Sequence, residues 1–172
     1  VSFDHDTVTE DLDFTFKIHR NDLRIVYDRE AIVYTQDPYT IAGYVNQMRR
    51  WVGGGWQNLM KHWRVIFSKP GQAFEVGFVY VEGLIFGTLI FVLPLIDITY
   101  FVIVLSGHFI GALLLGLYGA VRRRRFDLIV YAPLFPLMVM LNSYIFLEQF
   151  IHEVIFRRRM ATWYKPVRHA LN

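Results

Sequence analysis

Gln47, Arg50, Trp51 and Gly54 stand at i, i+3, i+4 and i+7, so on a helix they share one face. That face offers an amide, a fixed cation and a large flat ring beside the side-chain-free patch Gly53-Gly54-Gly55. A guanidinium forks onto phosphate oxygens, and an indole stacks on the apolar face of a sugar ring. The same residue types also serve as anchors at a membrane interface, so the motif needs its context. A second group lies earlier, where Asp4, Asp6, Glu10, Asp11 and Asp13 crowd around one helix start. Carboxylates there complement the helix dipole, and acidity alone does not make them a site. The histidines at 5, 19, 62, 108, 152 and 169 show no metal-ligand spacing, and the absence of cysteine removes thiolate sites and disulfides.

The elements that must carry these residues follow from pattern. Apolar Ile41, Tyr44, Met48, Val52, Trp56, Leu59, Trp63 and Ile66 recur by threes and fours, which predicts one helix over about residues 40–67. Residues 40–72 thus read as an amphipathic interface helix. Thr7 and Glu10 fit a capping box, predicting a helix from there to about His19, with Leu12 and Phe16 facing a core and Phe14 and Ile18 as further candidates. Asn21-Asp22 closes it by turn chemistry. Residues 23–27 and 31–35 are short β-type runs around Asp28-Arg29-Glu30, ended by Asp37-Pro38. Residues 1–39 therefore read as the C-terminal part of an α/β domain.

Of the 172 residues 54% are hydrophobic, and the excess lies after residue 73, which indicates a membrane region over 73–156. Residues 76–96 carry one charge, Glu82, and residues 98–121 are interrupted only by Ser106 and His108. Each is long enough to span hydrocarbon by the rule of about 20 residues. The link at Asp97 predicts a tight hairpin. Lys61, Arg64 and Lys69 before it and the arginines 122–125 after it put both ends on the cytosolic side. Glu82 and His108 are intramembrane ionisable groups and so functional candidates. The third run, 128–156, contains Pro133 and Pro136 and ends at the arginines 157–159. A broken or re-entrant segment keeps those arginines in the cytosol, with 157–172 as a basic cytosolic tail. The net charge of +3 is concentrated at these membrane-edge clusters, which reads as topology and not as a nucleic-acid footprint. The chain enters a motif almost at once from Val1, without a signal peptide, and reads as the back part of a longer protein.

Thr9-Glu10-Asp11, followed 36 residues after Asp11 by Gln47-x-x-Arg50-Trp51, resembles the paired signature of processive family-2 glycosyltransferases. These are the cellulose, chitin, hyaluronan and poly-N-acetylglucosamine synthases, and the poly-β-1,6-N-acetylglucosamine synthases are the nearest in pattern. The likeness extends through Gly-Gly, His62-Trp63, the apolar spans and a terminal Ala-Thr-Trp-x-x-Pro-x-Arg. It implies that residues 1–39 are the C-terminal edge of a GT-A glycosyltransferase domain. It implies Asp11 as the general base for the acceptor hydroxyl, Glu10 as its neighbour in the catalytic site, and Thr9 among the substrate-binding residues. Trp51 would stack on the acceptor sugar, while Arg50 and Gln47 would hold the donor diphosphate or the acceptor. Trp163, Pro166 and Arg168 would form a motif closing over the nucleotide. The implied partners are a UDP-sugar donor, most readily UDP-N-acetylglucosamine, a growing polysaccharide, the lipid bilayer, the remaining N-terminal part of the enzyme, and a small membrane partner subunit. The resemblance also implies a divalent cation, Mg or Mn, held by an upstream Asp-x-Asp motif outside this chain. The implied setting is the inner (plasma) membrane with the catalytic side cytosolic.

Two other readings stay open on the residues alone. One is a non-processive transferase acting on a membrane lipid, against which a sugar-stacking Trp51 argues. The other is a non-catalytic membrane scaffold or partner subunit, against which the carboxylates and Gln-x-x-Arg-Trp argue together.

Overall fold

Thr40 begins the element on which the rest is assembled. Its backbone is extended and its side chain accepts a hydrogen bond from Gly43 N at 3.0 Å, satisfying one of the helix's free donors. From there α2 (Ile41–Ser68) runs the length that the periodicity predicts. The computed structural model describes residues 2–4, 6–124 and 126–158, which fall into two compact units. One holds the residues up to Tyr80 and those from Glu148 on, and the other holds Val81–Leu147.

In the first unit α1 (Glu10–Arg20) packs along α2. The hydrogen-bonded pairs Val8–Gln57, Thr9–Asn58 and Asp13–His62 each join residues 49 apart, so the two helices run parallel in constant register. Farther along, Lys69 Nζ donates to His19 O and to Asp22 at 2.8 Å each, closing the far end. Phe16 is buried beside the His62 ring, 5.4 Å between centroids, and Phe14 stacks on Phe3. The capping box predicted for Thr7 and Glu10 is not formed. The helix starts at Glu10, and Thr9 takes the N-cap position without a side-chain cap bond. The Thr9 side chain is engaged by α2 instead, through Asn58 Nδ2.

The predicted β-type pair is a correction. Among the described residues there is no strand, so the α/β edge expected from the sequence is not seen. Residues 23–27 and 31–35 are exposed, Tyr34 to 92%, and their turn bonds are local, Ala31 N to Asp28 O and Ile32 N to Glu30 O. β-propensity describes fit to a pleated, half-buried surface, and an isolated two-stranded hairpin is marginal without one.

The second unit is built from apolar helices. Its backbone is carried by α3 (Pro70–Ile96), α4 (Ile98–Arg123), α5 (Asp127–Tyr131) and α6 (Phe135–Phe150), of which the ends of α3 and α6 belong to the first unit. Asp97 alone joins α3 to α4, capping α4 through a bond from Thr99 N at 2.7 Å. Phe86 and His108, eleven residues to either side of it, bring their rings to 5.1 Å. Gly83 faces Phe146 and Gly87 faces Ser143 O, an antiparallel approach of α3 and α6 through small residues. Gly116 and Gly119 likewise admit Leu128 against α4. Arg124, in the left-handed region, ends α4.

Three helical stretches, starting at Pro70, Ile98 and Asp127, are long and apolar enough to cross a membrane. Their outer surfaces are apolar, with Leu115 and Val121 largely exposed, as lipid-facing surfaces must be. The prolines of the third stretch do not interrupt it. Pro133 sits in a 3-10 turn (Ala132–Leu134) and Pro136 is the second residue of α6, where the missing N–H has no intrahelical partner to lose. The stretch thus changes helix type where it was expected to break, and it closes with a π-turn, Ile151–Ile155.

Candidate functional site

Three consecutive glycines let three segments reach α2 at one level. A Cβ on Gly54 would collide with the side chain of Thr9, and one on Gly55 with the hydroxyl of Tyr80. A Cβ on Gly53 would stand 2.8 Å from Gln149 Oε1. Trp56 then closes the cluster, its ring 4.5 Å from Tyr80 and 5.1 Å from Phe150. Gly53-Gly54-Gly55 is therefore a junction in which backbone replaces side chain so that the start of α1, the first part of α3 and the end of α6 all pack on α2.

This junction brings the two sequence motifs together. Gly54 touches Thr9, and Arg50 and Trp51 precede Gly54 by four and three residues, on the same face about one turn, or 5.4 Å, away along the axis. Gln47 lies one further turn along that face. Because α1 runs parallel to α2 and starts at this level, the Gln47–Trp51 face extends beyond the N-terminus of α1. Asp11 is exposed, its carboxylate accepting a bond from Leu12 N at 2.8 Å and its carbonyl one from Thr15 Oγ1 at 2.9 Å, and Glu10 is half-buried. The Trp51 ring is 51% exposed, while Gln47 and Arg50 are partly covered. The contact of Thr9 with Gly54 thus sets the start of α1, with Glu10 and Asp11, about one turn from Arg50 and Trp51 along α2. Thr9 differs from the rest: it is buried, and its hydroxyl accepts a bond from Asn58 Nδ2 at 2.9 Å.

Behind α1 lies a charge cluster that the pattern did not reveal. Asp13 is fully buried and receives Lys17 Nζ at 2.8 Å, Lys61 Nζ at 2.7 Å and His62 Nε2 at 2.7 Å. Burial alone would raise its pKa, but the hydrogen bonds from Lys17, Lys61 and His62 outweigh that and hold it at about 2. Burial would lower the Lys61 pKa, but its hydrogen bonds to Asp13, Asp6 and Asp4 outweigh that and raise it well above the ordinary lysine value. Lys61 also reaches Asp4 at 3.1 Å and Asp6 at 2.7 Å. Asp4, Asp6 and Asp13 bring their oxygens within 4.8 Å of one another, the arrangement of a cation site, and Asp4 and Asp6 have Asp-x-Asp spacing. The cation between them is the Lys61 ammonium, so these residues do not fit a divalent metal.

Other expected residues fall elsewhere. Arg49, next to Arg50 but on another face, forks onto Glu148 with two bonds of 2.7 Å, tying the end of α6 to α2. His108 pairs Nδ1 with Val104 O at 2.8 Å and packs on Phe86, and Glu82 is exposed on α3. Trp163, Pro166 and Arg168 lie outside the described residues, as do Arg125 and Arg159. Sequence reasoning missed Gln57 and Asn58, and it did not see that Asp13, counted among the helix-start carboxylates, pairs with His62. Their signal was present only for the amides: Gln57 and Asn58 follow Gly54 by three and four, on the glycine face.

The chain is 29% identical over 107 residues to poly-beta-1,6-N-acetyl-D-glucosamine synthase of Staphylococcus epidermidis, and equally so to the protein of the same name from a second strain of that species. The match covers 57% of this chain and 26% of each relative, so the chain corresponds to about a quarter of their length. No solved structure matches it. The model of glycosyl transferase family group 2 matches residues 1–147, a span that takes in both motif-bearing helices; the chain belongs to that family.

Proposed function

We propose that this chain is the C-terminal part of a membrane-embedded, processive glycosyltransferase that extends a β-linked polysaccharide from a UDP-sugar, UDP-N-acetylglucosamine being the donor that the relatives' name suggests. The observation that carries this reading is the seating of Thr9 against Gly54, which joins the Glu10-Asp11 helix start to the Gln47-Arg50-Trp51 face. In the reaction an acceptor hydroxyl attacks the anomeric carbon of the donor, and the bond from that carbon to the UDP oxygen breaks with inversion. Asp11 takes the hydroxyl proton as the new bond forms, a task that suits an exposed carboxylate with no lysine bound to it among the described residues. Glu10 shapes its surroundings. Trp51 stacks on the terminal acceptor sugar, and Arg50 with Gln47 offsets the charge that develops on the leaving diphosphate.

A divalent cation, Mg or Mn, would be held by an upstream Asp-x-Asp motif outside this chain and would offset the charge of the leaving diphosphate. Residues 40–72 lie along the membrane interface, and α3 with α4 contributes to the path by which polymer leaves the cytosolic face of the inner membrane. Incubating membranes that contain the full-length protein with radiolabelled UDP-sugars, followed by sizing of the product, tests the proposal. A long polymer supports it. A single sugar on a lipid indicates a non-processive enzyme, and no incorporation from any UDP-sugar refutes it.

A further inference from the structure

The residue that joins the two motifs is itself occupied. Thr9 is 8% exposed, its hydroxyl accepts from Asn58 Nδ2 at 2.9 Å, and its carbonyl accepts from the same nitrogen at 3.2 Å. Asn58 is fully buried and its Nδ2 also reaches Gly54 O at 3.1 Å. Two of these three acceptors are carbonyl oxygens that can only accept, so the amide's orientation is set by its surroundings. One residue away Gln57, 5% exposed, accepts the Val8 N–H at 3.2 Å through Oε1. Adjacent buried amides of α2 therefore grip the backbone of Val8 and Thr9, the residues immediately before Glu10 and Asp11. Gly54 makes room for the grip, since any Cβ there would displace Thr9.

We infer that Thr9 is an anchor and not a substrate ligand, and that Gln57 and Asn58 are positioning residues that hold Asp11 in register with Arg50 and Trp51. The inference rests on the reading of Asp11 as the base. Its physical content is orientation. A carboxylate on the first turn of α1 has a fixed place only if that turn has one. The start of α1 lacks a side-chain cap of its own, so the bonds from α2 supply the restraint. One end of the restraint is the helix that carries Gln47, Arg50 and Trp51, so base and substrate-binding face move as one body. A misplacement of about 1 Å at such a site costs on the order of 10²-fold in rate.

The test uses the full-length protein in membranes and the nearly isosteric variants Thr9→Val, Thr9→Ser, Asn58→Leu and Gln57→Met. Two quantities are read: kcat and donor KM for polymer formation, and amide exchange of the segment spanning residues 8–13. Thr9→Val and Asn58→Leu are each expected to lower kcat by roughly 10–100-fold with donor KM within about threefold, by the orientation argument. The double variant is expected to be no worse than about threefold below the poorer single one, because both remove the same contact. Thr9→Ser keeps the hydroxyl and is expected to retain activity within about threefold. Exchange over 8–13 is expected to quicken in Thr9→Val, Asn58→Leu and Gln57→Met, and not in Thr9→Ser. A loss that appears in donor or acceptor KM alone, multiplicative losses in the double variant, or Thr9→Val as active as Thr9→Ser would overturn the positioning role. If Asn58→Leu does not accumulate, the two Thr9 variants decide the matter alone. If the wild-type protein transfers no sugar, the proposed reaction fails, and the exchange data separately judge the anchor: unchanged protection in every variant overturns it.

Discussion

His62 Nε2 lies 2.7 Å from Asp13 Oδ1, with both side chains out of solvent, and this pair joins α1 to α2 one turn beyond Thr9. Together with the Thr9–Asn58 bond it gives α1 two buried polar attachments to the same helix. Asp11, between them in sequence, faces outward. A helix held at two points along its length cannot rotate, which is what the proposed role of Asp11 as base requires.

Acid should loosen this attachment. The pKa of Asp13 is held at about 2, below its unfolded value of 3.8. Its stabilising contribution is therefore complete above about pH 4 and disappears as pH falls toward 2. That contribution is on the order of 2–3 kcal/mol. Thermal unfolding of the detergent-solubilised protein should show Tm falling through that window. Asp13→Asn should start from a lower Tm at pH 7 and fall less. Parallel curves for the two proteins would refute the assignment.

Arg49 and Glu148 form a partly buried fork, so removing one partner should cost more than removing both. Arg49→Met is expected to destabilise by on the order of 1–2 kcal/mol, discounted for the partly exposed guanidinium. Adding Glu148→Leu should restore most of this, and Arg49→Lys should lie between. Additive losses in the double variant would show that the fork is not the source.

Asp11→Asn in the full-length protein is expected to abolish polymer formation, since a general base contributes about 10²–10⁴-fold. Expression and UDP binding should persist, because Asp11 is exposed and its bonds among the described residues are local, with Leu12 and Thr15. Activity within about threefold of wild type rejects Asp11 as the base.

Trp51→Ala and Arg50→Ala should separate two functions of one helix face. Loss of the ring is expected to reduce extension of an oligosaccharide primer more than hydrolysis of the donor. Loss of the guanidinium is expected to weaken both through the nucleotide. UDP release measured with and without primer distinguishes them, and equal losses in both assays contradict the division.

Topology offers the remaining test. Glu148, Gln149 and Phe150 all pack on α2, so the end of the third apolar stretch lies with the helix that carries Gln47, Arg50 and Trp51. Single cysteines at Asp97, Arg124 and Ala170 can be placed in this cysteine-free chain. A membrane-impermeant thiol reagent on intact cells is expected to label position 97 alone. Labelling at 170 from outside would put the arginines 157–159 across the membrane and withdraw Trp163, Pro166 and Arg168 from the nucleotide site.

What could be read from sequence is what depends on neighbours along the chain. The start of α2 was legible because Thr40 caps it locally, and its length because its apolar period persists to Ile66. The three apolar stretches were legible because hydropathy is a one-dimensional property, although the proline stretch stays helical where a break was expected: Pro133 and Pro136 fall where a first turn tolerates them. The two motifs could be found as residue types at a spacing, but not their meeting at Gly54. Only tertiary structure decided that Thr9 is buried, that Asn58, Gln57 and His62 form the inner face of α2, and that Lys61 fills the carboxylate cluster. Each of those contacts joins residues about 50 apart or more, and a polar side chain carries no mark of whether its partner is water or a buried group on another helix. The β-type runs at 23–27 and 31–35 show the converse. Their side chains suit a sheet, but a strand is defined by the ladder beside it, and among the described residues none is there to supply one.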